Sequence, residues 1–153
     1  MIVPDVNLLV YAINEDTSHH ERARAWLEHY LSGSETVGLP WLVLVAFLRL
    51  TTHPRIFAAP LETETALDIV TGWLAQPCIR PIEPGDRHWL VLSQLLRQSG
   101  TAGNLTNDAH LAAIAIEHHA CLHSADNDFR RFPDLNFHNP LAQNQLQDNP
   151  ARY

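Results

Sequence analysis

Four aspartates are placed where they could do chemistry together. Asp5 follows the apolar "MIVP" and precedes the apolar "VNLLVYA". Asp108 opens a second apolar stretch, which closes on Asp126, and Asp128 stands two residues further on. Carboxylates crowded into one pocket repel each other, and they coexist only if a cation sits among them or some carry protons. An all-oxygen donor set without Cys or His suits Mg²⁺ or Mn²⁺. Such an ion lowers the pKa of a bound water, orients a phosphodiester and stabilises developing charge. Phosphodiester hydrolysis is therefore the chemistry suggested. Taken singly, each acid has a plainer explanation. Asp108 could be a helix N-terminal carboxylate favoured by the dipole. Asp126 and Asp128 could form an Asx-turn. Asp5, between a strand and a helix, is an N-cap or a site residue, and Asn7 is a turn residue or orients a carboxylate.

Convergence depends on the elements that carry these residues. "MIVP" reads as a short strand and "VNLLVYAIN" as a helix. "SHHERARAWLEHYLSG" is the clearest helix, with a Ser18–Glu21 capping box, one apolar face through Ala23, Trp26, Leu27, Tyr30 and Leu31, and Gly33 at its end. "ETVGLP" reads as a second strand. "WLVLVAFLRLTTHPR" is ambiguous: β-branched residues favour strand, whereas its length and Pro40 favour helix. "ETETALDIVTGWLAQ" is helical, with Pro77 just past its end, and "CIRPIE" is a strand. Asp86 is expected to cap the helix "RHWLVLSQLLRQSG", which Gly100 ends. Asp108 falls in the first turn of the next helix, with Leu111, Ile114, Ala115 and His118 at helical spacing. "ACLHSAD" is a strand ending in acid, and "LNFHNP" is expected to be a last edge strand.

Alternating strands and helices imply a parallel sheet covered by helices on both faces. Ligands of such sheets bind beyond the carboxyl ends of the strands. Asp5 leaves the first strand there, and Asp126 and Asp128 leave a late one. Asp108 starts the helix that runs back along that late strand. All four acids are thus expected at one edge.

The 153 residues suit a single domain, here residues 1–140, followed by a polar tail over 141–153 that is expected to fray. The formal net charge is −7, and every basic residue is Arg. Acidity argues against a broad basic face for nucleic acid but not against a metal-bridged site that meets phosphate. The longest apolar run is too short to span a membrane and contains Arg49. The N-terminus lacks a signal peptide's basic region. A cytoplasmic protein with no membrane partner is the resulting expectation. Cys78 and Cys121 lack metal-site spacing and are expected to be two buried thiols.

"PDVNLLVYA", "WLVLVAFLRLTTHPRIF" and "NLTNDAHLAAIAIEHHACLHSADNDFRRFP" resemble the PIN-domain ribonucleases, specifically VapC-type toxins of bacterial toxin–antitoxin pairs. The similarity runs from Met1 to about Pro140. It implies a three-layer α/β/α domain around a parallel sheet of about five strands, Mg²⁺- or Mn²⁺-dependent RNA cleavage, a homodimer and a cognate antitoxin. Carried over by position, it implies that Asp5, Asp108 and Asp126 are the catalytic metal-binding acids, with Asp128 at the margin and Asn7 and Ser124 in support. The family's usual Glu in the helix after the second strand falls on Ala46, so the site has one carboxylate fewer. A weaker second metal, or a catalytically weak or inactive binding module, follows as the alternative.

Arg49, Arg55, Arg130 and Arg131 flank the expected site and could hold RNA phosphates; salt bridging with the excess acid is the plainer role for each. Paired histidines, His19–His20 and His118–His119, could in principle serve as base and acid, but no spacing brings a pair together. His110, one turn face away from Asp108, is the one histidine worth testing for such a role. Trp26, Trp41, Trp73 and Trp89 fall on apolar helix faces and are expected in core or dimer packing. Phosphoacceptor modules and haloacid-dehalogenase-type phosphatases also keep acids at strand ends. They rely on a Lys that this chain lacks, and the phosphatase motif needs a second Asp where Asn7 stands.

Overall fold

The computed structural model describes residues 1–100 and 102–143. In chain order the elements are β1 (Ile2–Pro4), α1 (Val6–Ile13), α2 (His20–Leu31), β2 (Val37–Pro40), α3 (Trp41–Thr51), α4 (Thr63–Leu74), β3 (Ile79–Ile82), α5 (His88–Ser99), α6 (Thr106–Glu117), β4 (Cys121–His123) and β5 (Phe137–His138). The strands form one parallel sheet in the order β3-β2-β1-β4-β5. Helices cover both faces, giving three α/β/α layers. The chain steps outward from β1 through β2 to β3, then returns to the other side of β1 as β4. The order therefore reverses between β1 and β4, and open parallel sheets bind ligands at such a switch point. The register pairs Pro4 with His123, so Asp5 and Ser124 leave the sheet side by side.

The central strands β1 and β2 are buried along their whole length, as expected of a parallel sheet covered on both faces, and the helices turn apolar stripes toward them. Val3, Leu8, Leu9, Leu39, Leu44, Phe47, Ile114 and Leu122 are sealed from solvent. The ambiguous segment folds as α3. Pro40 serves as its N-cap, where a missing N–H costs nothing, and Val43, Leu44 and Phe47 fill its inner face. In α6 burial exceeds a single stripe: Ala109, Leu111, Ala112, Ala113, Ile114 and Ala115 are all buried. Alanine lets this helix sit close to both α5 and the sheet. Gly38 in β2 is a true close approach, because a Cβ there would lie 2.9 Å from Ile82 Cδ1 and 3.1 Å from Met1 Sδ.

Several local expectations need correction. The Ser18–Glu21 box does not form. The cap of α2 is His19, with no side-chain cap bond, and Thr17 Oγ1 instead accepts the His19 N–H at 3.3 Å. Asp86 does not cap α5; Arg87 occupies that position without a side-chain bond. Gly100 does end α5 in the left-handed region (φ 71°). At the end of α6 the left-handed residue is His119 (φ 51°), where glycine is usual. Cys78 and Cys121 are half-buried rather than fully buried. Trp26 and Trp73 pack in the core, whereas Trp41 and Trp89 are 49% and 76% exposed. At the start of the expected tail, Leu141 is buried, and its carbonyl accepts from Arg22 Nη1 at 2.7 Å. Residues 144–153 of the tail lie outside the described residues.

Candidate active site

Asp5 is fixed from both sides. As N-cap of α1, its Oδ1 accepts the Val6 N–H at 2.7 Å. Its Oδ2 accepts the Ser124 hydroxyl at 2.7 Å, and its own N–H donates to the His123 carbonyl at 2.8 Å. Ser124 is fully buried and has no spare capacity. Its oxygen accepts from Asn7 Nδ2 at 3.1 Å and from the Asp126 N–H at 3.0 Å, which directs its one proton to Asp5. Asn7 Oδ1 accepts the Ala125 N–H at 3.3 Å. This knot stitches the end of β1 to the end of β4 through side chains more than a hundred positions apart in sequence.

Asp126 caps the short 3₁₀ turn Asn127–Arg131, its Oδ1 accepting the Asp128 N–H at 2.8 Å. Asp128 is exposed and faces Arg131 at 3.8 Å. Asp108 sits in the first turn of α6. Asp5 and Asp108 line a common cavity of about 190 Å³, with Leu42, Ala46 and Arg49 of α3 on its wall. Those three recur at helical spacing, so α3 presents one stripe to the cavity.

The electrostatics match this crowding. Burial raises the Asp5 carboxyl above its ordinary range, the Ser124 and Val6 hydrogen bonds oppose the rise, and the Asp126 charge adds to it. Asp108 is also raised, first by burial and then by the charges of Asp5, Asp126 and Asp128, with Arg131 opposing. Each rise due to a neighbouring carboxylate measures repulsion that a cation would relieve.

The donor set fits a hard divalent ion in part. Asp5 and Asp108 offer two carboxylates to one cavity, and Mg²⁺ takes one or two directly and keeps several waters. Among the described residues, no three His, Cys, Asp or Glu side chains form a ready metal cage. Asp126 does not line the cavity.

The other expected residues divide clearly. Arg49 lines the cavity, Arg131 is paired with Asp128, and Arg130 lies further along the 3₁₀ turn. Arg55 lies in the loop after α3 and does not line the cavity. His110 faces away from the acids: its Nδ1 lies 2.7 Å from His88 Nε2, and His88 Nδ1 lies 2.8 Å from Glu117 Oε2. This Glu117–His88–His110 chain ties α5 to α6, and no sequence spacing announced it. The paired histidines do not meet. His20 bonds the Tyr11 carbonyl and His118 the Glu83 carbonyl.

A three-layer fold with an oriented carboxylate at its switch point defines an acidic-site α/β domain. The PIN domain family model matches residues 2–135, and the chain belongs to that family. Within it, the chain is 43% identical to Ribonuclease VapC37 of Mycobacterium tuberculosis over 93% of this chain and 99% of the relative. It is also 43% identical to Ribonuclease VapC33 of the same organism, over 94% and 100%. Among solved structures, VapBC2 from Rickettsia felis bound to a promoter DNA fragment shares the fold, with a TM-score of 0.66 at 24% identity over 90% of this chain and 98% of that one.

Proposed function

We infer that this chain is an endoribonuclease of the VapC type, the toxin of a toxin–antitoxin pair, with its reaction centre at the Asp5–Asp108 cavity. The observation that carries the reading is the Ser124-held Asp5 facing Asp108 across one cavity, in a family whose curated relatives are ribonucleases. The phosphodiester of an RNA strand is the proposed substrate. Asp5 and Asp108 would hold Mg²⁺ or Mn²⁺, with Asp126 completing the acid cluster and Asp128 at its margin. When bound, such an ion supplies a Lewis acid and acidifies a coordinated water. The chain itself supplies orientation. Ser124 and the Val6 N–H fix both oxygens of Asp5, Asn7 holds Ser124, and the α6 N-terminus presents Asp108. Arg49 on the cavity wall is suited to a phosphate oxygen.

A cognate antitoxin is the proposed partner, acting by placing a basic side chain beside the acids. A homodimer is proposed too, and the exposed Trp41, Leu42 and Val45 of α3 offer an apolar strip for such an interface. No helix among the described residues is long and apolar enough to cross a membrane; residence in the cytoplasm is part of the proposal. Purified protein should cut single-stranded RNA in Mg²⁺ or Mn²⁺, stop in excess EDTA and restart when the ion is returned. Undiminished cutting in EDTA would end the metal reading.

Ala46 qualifies the strength of this centre. It lies on the cavity wall, where a methyl group offers no oxygen. Ala46→Glu should tighten Mn²⁺ binding by about tenfold through one added carboxylate, read by titration calorimetry. An unchanged dissociation constant would show that a side chain at this position does not reach the ion.

A further inference from the structure

A cleft of about 690 Å³ runs along β5, separate from the acidic cavity, with Arg130, Phe132, Phe137, His138, Asn139 and Pro140 among its lining residues. It is mechanically joined to the acids. Asn139 Nδ2 donates to the Ala125 carbonyl at 3.2 Å and to Asn127 Oδ1 at 3.1 Å. These acceptors flank Asp126 on either side. Asn139 Oδ1 accepts the Leu141 N–H at 2.9 Å, so Asn139 is a strut rather than a ligand. β5 lies two strands from β1, and at ~5 Å per strand the end of β5 is on the order of 10 Å from Asp5. A polynucleotide held at the acids would bring its next nucleotides to that distance.

The walls have a nucleotide's complement. Arg130 makes no ion pair or hydrogen bond among the described residues, unlike Arg131, which Asp128 occupies. In a chain with 17 acids against 10 bases, an exposed and unpaired guanidinium is suited to a phosphate. The His138 side chain is exposed, its ring meeting His123 edge-on at 5.0 Å, and it offers an aromatic face to a base; Phe137, its neighbour in the strand, turns to the other face and stacks on Phe129. A peptide adding to the sheet is disfavoured, because β5 is only two residues long and is a poor template for an added strand.

We propose that this cleft binds the single-stranded RNA nucleotide adjoining the scissile phosphodiester, with Arg130 at its phosphate and His138 against its base. The proposal rests on the assignment of Asp5 and Asp108 as the reaction centre. Full-length Asp5→Asn protein and a fluorescein-labelled oligouridylate give the affinity by anisotropy, without turnover. Arg130→Ala and His138→Ala, both at exposed positions, should each weaken binding about 5- to 10-fold. Arg130→Ala should also lower the salt slope by about one. An abasic nucleotide scanned along the oligomer should find one position that weakens the parent protein and leaves His138→Ala indifferent. With Asp5 restored, the same two changes should raise KM for longer RNA, keep kcat within about twofold, and spare a dinucleotide substrate. Unaltered affinity in both variants, or a loss that ignores the base, would overturn the proposal. So would weakened antitoxin binding with RNA affinity intact, which would assign the cleft to a protein. Absence of cleavage by the Asp5 protein would count against the reaction centre alone, and the anisotropy would still decide the cleft.

Discussion

Asp5→Asn should lower RNA cleavage by on the order of 10² to 10³ while the protein stays folded. Asn is as good an N-cap as Asp when its amide oxygen stays on the Val6 N–H. The amide has one oxygen where the carboxylate has two. If that oxygen accepts from Ser124, the NH₂ faces the Val6 N–H, and one hydrogen bond worth about 1 kcal/mol is lost. Relief of repulsion from Asp126 partly offsets that loss. Stability should therefore change little while the negative charge facing Asp108 disappears. The measurement pairs initial rates on a fixed RNA with thermal melting of both proteins. A variant that melts normally and cuts at the parent rate would remove Asp5 from the chemistry.

Acid should unfold the protein through a residue just behind the site. His123 is buried in β4, and its Nδ1 accepts the Trp26 indole N–H at 3.1 Å. Burial, with a smaller push from His138, lowers its pKa from the ordinary 6.5 to about 4. Between those values the unfolded chain binds a proton that the folded chain refuses. Stability from this residue is complete above pH 6.5 and is lost as pH falls toward 4, by about 3 kcal/mol in all. The raised carboxyls of Asp5 and Asp108 act in the opposite sense, because the folded state holds their protons more tightly above the ordinary carboxylate value. Urea melts from pH 7 to pH 4 should show the decline. His123→Gln, which keeps an acceptor for Trp26, should flatten it. A His123 imidazole that titrates near 6.5 in the folded protein would contradict the expectation.

The parts of this site that could be read in the sequence are those carried by local pattern. Asp5 between an apolar strand and an apolar helix, and Asp108 at the head of another helix, follow from strand–helix alternation and the switch-point rule. Ser124 came only through family resemblance, because nothing local says that one hydroxyl will join β1 to β4, and local reading left Asn7 between a turn residue and one that orients a carboxylate. The capping assignments failed where several polar residues compete: Thr17 displaced Ser18, and Arg87 stands where Asp86 was expected. Periodicity marks Trp41 and Trp89 as apolar-face residues but does not say whether that face meets the protein's interior. The Glu117–His88–His110 chain and the β5 cleft arise from tertiary packing alone.

The bond between Ser124 and Asp5 spans 119 positions, and this affects when the enzyme can first act. Asp5 leaves the ribosome 119 residues ahead of its partner. At about 5–20 residues per second, synthesis of the intervening chain takes on the order of 10 s. Throughout that interval the growing polypeptide lacks the bond that orients Asp5, so the proposed acid site is assembled only after the end of β4 has emerged.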